Sequence, residues 1–255
     1  MSVCAITGSA SGIGAAIRRR LEQDGARVIG IDLRNADVVA DLSTPAGREA
    51  AVSGVLALCH GRLDRLVVAA GVGSHVRPCA LVTSTNYFGA VDLLDGLFEA
   101  LRQGSAPAAL AIASNSAQLA PVDESPYVKA LLAHAEPEAC QIAEQVGTPI
   151  LAYLGAKHAL CRGVRRRAGA WGRAGVRINA IAPGPVRTPL LQGDMDDPVT
   201  GAAIRSFPVP LGRIAEPEEI AELASFLLGP AGSFIQGSIY YIDGGSDAQV
   251  RPDRF

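Results

Sequence analysis

Tyr153 and Lys157, in the run Tyr-Leu-Gly-Ala-Lys, are the residues of this chain best placed to move a proton. Four residues is just over one helical turn, so a helix would project the phenol and the ammonium from one face. Near the start stands Thr7-Gly8-Ser9-Ala10-Ser11-Gly12-Ile13-Gly14. Glycines spaced this way permit a tight turn and let backbone N–H groups approach a pyrophosphate. A helix opening at that point adds partial positive charge. The spacing is Gly-x-x-x-Gly-x-Gly rather than Gly-x-Gly-x-x-Gly, so Asp32 matters to the reading. A carboxylate at the end of the second strand accepts hydrogen bonds from the adenosine ribose hydroxyls and repels a 2′-phosphate, which predicts NAD over NADP. Arg34, two residues on, works against that preference. A dinucleotide loop and a phenol beside a fixed cation are together the equipment of hydride transfer.

These groups need a scaffold, and the hydrophobic pattern supplies one. Short β-branched runs at 3–6, 27–31, 38–40, 66–69, 109–113, 177–181 and 238–242 alternate with helical stretches at 13–24, 45–59, 86–102 and 218–228. A further helix carries Tyr153 and Lys157 to about residue 169. The alternation predicts an α/β fold, a single-domain doubly wound parallel sheet covered on both faces. About 38 residues separate Ser114 from Tyr153, where a short connection is the norm. Their periodicity predicts a helical insert over about 117–150. Residues 188–208 are rich in Pro, Gly and Asp and read as a mobile flap.

Composition narrows the function classes. The chain has 255 residues, 49% apolar and 19% charged, enough to bury a large core. A net charge of -2 leaves no electrostatic footprint for nucleic acid or an anionic membrane. The runs Arg18-Arg19-Arg20 and Arg165-Arg166-Arg167 read as solvated helix faces. Five cysteines, Cys4, Cys59, Cys79, Cys140 and Cys161, show no Cys-x-x-Cys pair, and the four histidines have no ligand spacing, so no metal is expected. Scattered cysteines in odd number suit a reducing cytoplasm. No signal peptide and no apolar run of membrane-spanning length are visible.

The motifs Thr7-Gly8-x-x-x-Gly12-x-Gly14, Asp41-Leu42, Ala70-Gly71, Asn86, Ser114, Tyr153-x-x-x-Lys157, Pro183-Gly184 and Thr188 stand in an order that resembles the short-chain dehydrogenase/reductase family across nearly the whole chain. Within it, Asp41-Leu42-Ser43-Thr44, Asn86-Tyr87-Phe88-Gly89, Thr188-Pro189-Leu190-Leu191, the Arg251-Pro252 tail ending in Phe255 and the long insert are similar to the bacterial 3α-hydroxysteroid dehydrogenase/carbonyl reductase group. The resemblance implies a Rossmann-type fold and an NAD-dependent oxidoreductase. Tyr153 becomes the base for alcohol oxidation and the acid for ketone reduction, aided by Lys157 and the oxidised nicotinamide. A working pKa near 7 asks the phenol to fall about 3 units from its ordinary value. Ser114 orients the substrate oxygen, with Ser116 a competitor for the role, and Asn86 anchors a water that relays protons to Lys157. Gly8, Ser11, Gly12, Ile13, Gly14, Asp32, Leu33, Asp41, Leu42, Ala70, Gly71, Pro183 and Gly184 would hold the cofactor, with Val186 and Thr188 fixing its carboxamide. Many relatives carry Asn-Asn-Ala-Gly where this chain has Val68-Ala69-Ala70-Gly71, which leaves open how the central sheet is braced.

The insert and the flap should border the substrate. Ser116, Leu119, Val122, Leu190, Leu191, Met195 and Phe207 are the candidate lining, apolar enough for a bulky alcohol or ketone. A steroid fits by resemblance, and a monocyclic terpenoid or other alicyclic alcohol fits the same chemistry. Two other classes remain open: an NADPH-dependent keto reductase on the same scaffold, and a non-catalytic NAD-binding sensor. The insert sits where relatives pair helices into tetramers, which predicts a homo-oligomer of another kind, a dimer through the 218 helix and the last strand.

Overall fold

The structure, a computed structural model, describes residues 1–119 and 122–253; Phe255 of the C-terminal tail lies outside them. Seven parallel strands form one sheet in the order β3-β2-β1-β4-β5-β6-β7. They are β1 Val3–Thr7, β2 Arg27–Asp32, β3 Val38–Val39, β4 Arg65–Val68, β5 Ala108–Ile112, β6 Arg177–Pro183 and β7 Ile239–Ile242. The order reverses between β1 and β4, and the crevice outside the carboxyl ends of those two strands is where an open α/β sheet binds ligands.

Side-chain alternation builds two cores. Ile6, Val67, Leu110 and Ile181 point to one face, where they meet Ile17 and Leu21 of α1 (Gly12–Gln23) and Ile220 and Ala224 of α11 (Pro217–Leu228). Their neighbours Ala5, Leu66, Ala109 and Ala180 point to the other, against α2 (Pro45–Cys59), α4 (Gly89–Gly96) and α8 (Pro149–Arg173). A strand buried on both faces reads as a continuous apolar run, as these do. The bracing left open by Ala69 comes from β1: Thr7 Oγ1 accepts the N–H groups of Ala69 and Ala70, both at 2.9 Å.

Three segments differ from their sequence reading. The single helix expected over 86–102 is preceded by α3 (Cys79–Thr83) and broken into a π-helical turn Ser84–Phe88, then α4, then α5 (Phe98–Arg102). The flap is folded as α9 (Pro189–Asp196) and α10 (Gly201–Arg205). Thr188 caps α9 by accepting the Leu191 N–H at 3.2 Å, with Pro189 at the first helical position, a start signal that outweighs the flap's breaker-rich composition.

The insert contributes α6 (Pro126–Leu132) and α7 (Glu136–Val146). Tyr127 of α6 wedges between α3 and α8, sharing a hydrogen bond with Thr83 Oγ1 at 2.9 Å and donating to the Ala152 carbonyl at 3.2 Å. Arg48 of α2, 3% exposed, pairs with Asp92 of α4 at 2.6 Å and with Glu136 at the start of α7.

Candidate active site

A cleft of about 1160 Å³ runs along the carboxyl ends of the central strands. Its walls contain all fifteen residues expected to hold a cofactor, from Gly8 to Thr188. The β1–α1 turn explains its glycines. Gly8 has φ +69, and a Cβ there would stand 2.9 Å from the Ala70 Cα; a Cβ on Gly14 would run into the Gly8 carbonyl oxygen. The bare backbone lets α1 begin directly beneath the cleft, with its first N–H groups turned towards it. Ser11, the N-cap, makes no side-chain cap bond. Asp32 closes this end: Oδ2 accepts the Ala10 N–H at 2.9 Å and Oδ1 the Leu33 N–H at 2.7 Å. Each oxygen keeps lone-pair capacity for a ribose hydroxyl. Arg34 shares the same wall. An anion-receptive turn, followed by an acceptor-only carboxylate, fits the pyrophosphate and adenosine ribose of a dinucleotide.

At the other end the cleft meets α8. Lys157 is 5% exposed. Its Nζ donates to the Ile112 carbonyl at 2.9 Å and lies 5.8 Å from the centre of the Tyr153 ring. Ser114, just past β5, has an oxygen that accepts the Ser116 N–H at 3.2 Å and the Ser116 hydroxyl at 2.8 Å. Ser116 therefore acts on Ser114, and Ser114 keeps its own hydrogen to donate into the cleft. Asn86 stands behind the wall rather than in it. It is fully buried in the π-helical turn, accepts the Val72 N–H at 2.8 Å and donates to the Val72 carbonyl at 3.0 Å. Its Oδ1 and Lys157 Nζ both lie within 4 Å of the point where a Gly71 Cβ would stand. A π turn at such a place is a common mark of a functional site.

The electrostatics of the protein by itself oppose the expected shift. Burial pushes the Tyr153 phenol up to about 12; the Ser114 hydroxyl pulls it down and the Asp194 carboxylate pushes it up further. Burial drives Lys157 down to about 8. The order matters. Lys157 sheds its proton well before Tyr153 does, so the ammonium is gone when its help is needed. The pair works as acid and base only if added positive potential lowers the phenol and added acceptors keep the lysine charged.

Of the expected substrate contacts, Ser116, Leu119, Leu190, Leu191 and Phe207 line the cleft. Met195 and Val122 are not in its wall. Val122 packs against the core cluster around α8. Met195 lies in the last turn of α9, where its carbonyl accepts from Arg205 of α10. Apolar character alone does not separate a pocket wall from a packing contact. Four wall residues carried no sequence signal: Ile150 and Leu154, one turn apart on α8, and Ser74 and Asp194, which meet across 120 residues at 2.9 Å. Ile150 and Leu154 could have been found by extending the Tyr153 helix backwards. Among the described residues no group of His, Cys, Asp or Glu could hold a metal ion.

Residues 2–130 match the model of the short chain dehydrogenase family. This chain belongs to that family. Residues 139–247 of the dehydrogenase match a second model, described as enoyl-(acyl carrier protein) reductase. It is 47% identical to a 3-alpha-hydroxysteroid dehydrogenase/carbonyl reductase of Comamonas testosteroni, covering 100% of both chains. It is 32% identical to a cis-4-hydroxycyclohexanecarboxylate dehydrogenase of Sinomonas cyclohexanicum, with 96% of each covered. Among solved structures it is similar to the 3-alpha-hydroxysteroid dehydrogenase of Pseudomonas sp. B-0831 complexed with NADH, at 52% identity and a TM-score of 0.98 over 100% of both chains.

Proposed function

We propose that this short-chain dehydrogenase is an NAD-dependent oxidoreductase that interconverts a hydrophobic cyclic secondary alcohol, of the 3α-hydroxysteroid kind, and its ketone. The observation that carries the reading is the position of Ser114, Tyr153 and Lys157, where a glycine-turn cradle ends and a wall of Leu119, Leu190, Leu191 and Phe207 begins. The relatives that act on a steroid and on a substituted cyclohexane, the latter by name a cis-4-hydroxycyclohexanecarboxylate, support a ring-bearing substrate. The NADH complex of the similar Pseudomonas enzyme supports the cofactor, and Asp32 supports NAD over NADP.

Each residue then has a task. The glycine turn and α1 hold the pyrophosphate, Asp32 the adenosine ribose, and Val186 and Thr188 the carboxamide. When bound, the nicotinamide supplies the hydride acceptor or donor. Ser114 donates its hydrogen to the substrate oxygen and fixes its direction. Tyr153 takes the hydroxyl proton in oxidation and returns it in reduction. Lys157 uses one N–H on Ile112 and offers the others to the nicotinamide ribose, which keeps it charged beside Tyr153. Asn86 holds the backbone at Val72 and lies close enough to Lys157 to anchor a water in the proton path.

The test is an NAD-reduction screen with 3α-hydroxysteroids and alicyclic alcohols. Turnover of the steroid, lost in Tyr153→Phe with cofactor binding retained, is the expected result. Turnover of small alicyclic alcohols in preference to every steroid would move the substrate to the cyclohexanol class. NAD binding with no oxidation across the panel would leave a sensor.

We also place the protein in the cytoplasm as a dimer. All five cysteines are unpaired, four of them buried, which suits a reducing compartment. The edge strand β7 is half-exposed along its whole length, and beside it Phe226 on α11 and the fully exposed Phe234 offer apolar surface to a second copy.

A further inference from the structure

The helix α9 carries Leu190 and Leu191 into the cleft, yet its far end is held by a group the reaction does not use. Asp194 is 7% exposed and forms part of the cleft wall. Its Oδ1 accepts three hydrogen bonds from the loop after β4: the Ser74 hydroxyl at 2.9 Å, the His75 backbone N–H at 3.0 Å and His75 Nδ1 at 2.8 Å. Arg77 and Asp197 approach within 3.8 Å and make a second tie between the same two segments. The contact is close enough to need a glycine. A Cβ on Gly193 would stand 2.5 Å from His75 Cε1.

The near end of α9 is tied as well. Thr188 caps the helix and packs its methyl 3.2 Å from the place of a Gly12 Cβ, against the glycine turn. Six residues of helix, about 9 Å, thus run from the dinucleotide cradle to the Asp194 clasp. Both leucines sit between the two anchors. The clasp is also near the reacting centre, since the Asp194 carboxylate is felt at the Tyr153 phenol.

We propose that Ser74, His75 and Asp194 are positioning residues: together they fix α9 over the reactive centre and so set where Leu190 and Leu191 hold the substrate ring. The inference rests on the alcohol dehydrogenase reading for its kinetic consequence and on geometry alone for the clasp. A helix released at one end still carries its leucines but no longer presents them at a fixed height. A displacement of about 1 Å in a substrate-positioning group is enough to cost on the order of 100-fold in rate.

The experiment compares Asp194→Ala, Asp194→Asn, Ser74→Ala and Gly193→Ala in the full-length protein. It measures amide hydrogen exchange over residues 189–205, NAD affinity by calorimetry, and KM and kcat with the best alcohol of the screen. Asp194→Ala and Gly193→Ala should speed exchange of α9 and raise KM by about 10- to 100-fold, with the NAD dissociation constant changed less than about threefold, well under the tenfold that 1.4 kcal/mol represents. Asp194→Asn keeps an acceptor oxygen and should restore most of the wild-type KM. Gly193→Ala opens the clasp without removing any polar group, so it and Ser74→Ala decide the matter if Asp194→Ala does not fold. Unchanged exchange in Gly193→Ala and Ser74→Ala would overturn the clasp. Faster exchange with an unchanged KM would overturn its role in positioning. If the wild-type enzyme oxidises no alcohol, the functional reading fails, and the exchange arm still decides whether the clasp holds α9.

Discussion

Replacing Lys157 by methionine should do almost nothing to Tyr153 in the protein alone and a great deal once NAD is bound. Burial holds the phenol at about 12 and the ammonium at about 8. At the pH where Tyr153 ionises without cofactor, Lys157 is already neutral, and its removal takes no charge away. About 5 units separate 12 from neutrality, or about 7 kcal/mol. The cofactor complex must supply that difference to make the phenol a base. One share is calculable from the structure. A charge 5.8 Å from the Tyr153 ring centre, at an effective dielectric constant of about 20, contributes about 3 kcal/mol, or about 2 units. The assay follows phenolate absorbance after a rapid pH jump. It takes the difference between proteins with and without Tyr153→Phe, once with Lys157 in place and once in the Lys157→Met variant. Without NAD, the lysine replacement should shift the phenol by less than about half a unit. With saturating NAD, the parent phenol should fall by several units, and that of the Lys157→Met variant should stand about 2 units above it. The rate of alcohol oxidation at pH 7 should fall at least about 100-fold with it. An equal shift with and without cofactor, or a phenol left near 12 in the NAD complex, would refute the argument that the cofactor reorders the two titrations.

Asp32→Ser removes the charge that repels a 2′-phosphate and leaves Arg34 in the same wall. The ratio of NAD to NADP affinity, by calorimetry, should fall at least about tenfold. Asp64, 2% exposed, accepts the Val3 and Ser105 N–H groups at 2.8 and 2.6 Å. Burial works against its ionisation, but those two bonds with Arg62 and Arg65 hold its pKa below the usual range. A depressed carboxylate stabilises the fold above its unfolded pKa and loses that contribution as pH falls through its folded one. Asp64→Asn should therefore cost about 1.5–3 kcal/mol at pH 7, and the gap in denaturation midpoint should close as the pH falls below about 4. Phe226→Glu with Phe234→Ser should yield monomers in light scattering, whereas a tetrameric parent would contradict the dimer.

The layers of this fold were legible because both faces of the sheet are covered, so each strand prints a short apolar run and each helix an amphipathic one. The helix Pro45–Cys59 was read to the residue, since Thr44-Pro45 starts it and His60 ends it in a left-handed conformation. The Tyr153 helix was legible from its spacing. The break at Ser84–Phe88 was not, because no proline or glycine lies within the π turn; the bend follows from Asn86 gripping Val72, a tertiary contact. The folded flap was hidden for a related reason. Its composition favours turns, and the contact that holds it joins Asp194 to residues 119 and 120 positions earlier. The phenol's direction of shift also lay beyond sequence, because spacing says which groups are near and not how dry they are.

Arg48 makes the helical insert something other than an appendage. Its guanidinium lies in the core with one carboxylate from the sheet-side helix α4 and another from the insert. Excising 126–146 would strand half of that ion cluster without water or partner, a penalty of about 3–5 kcal/mol before any apolar contact is counted. Trimming this enzyme to the insert-free outline of its shorter cousins, or grafting the insert onto one of them, is therefore a two-site operation. The arginine must travel with the helices, and a lineage gaining or losing the segment has to cross that valley or change position 48 first.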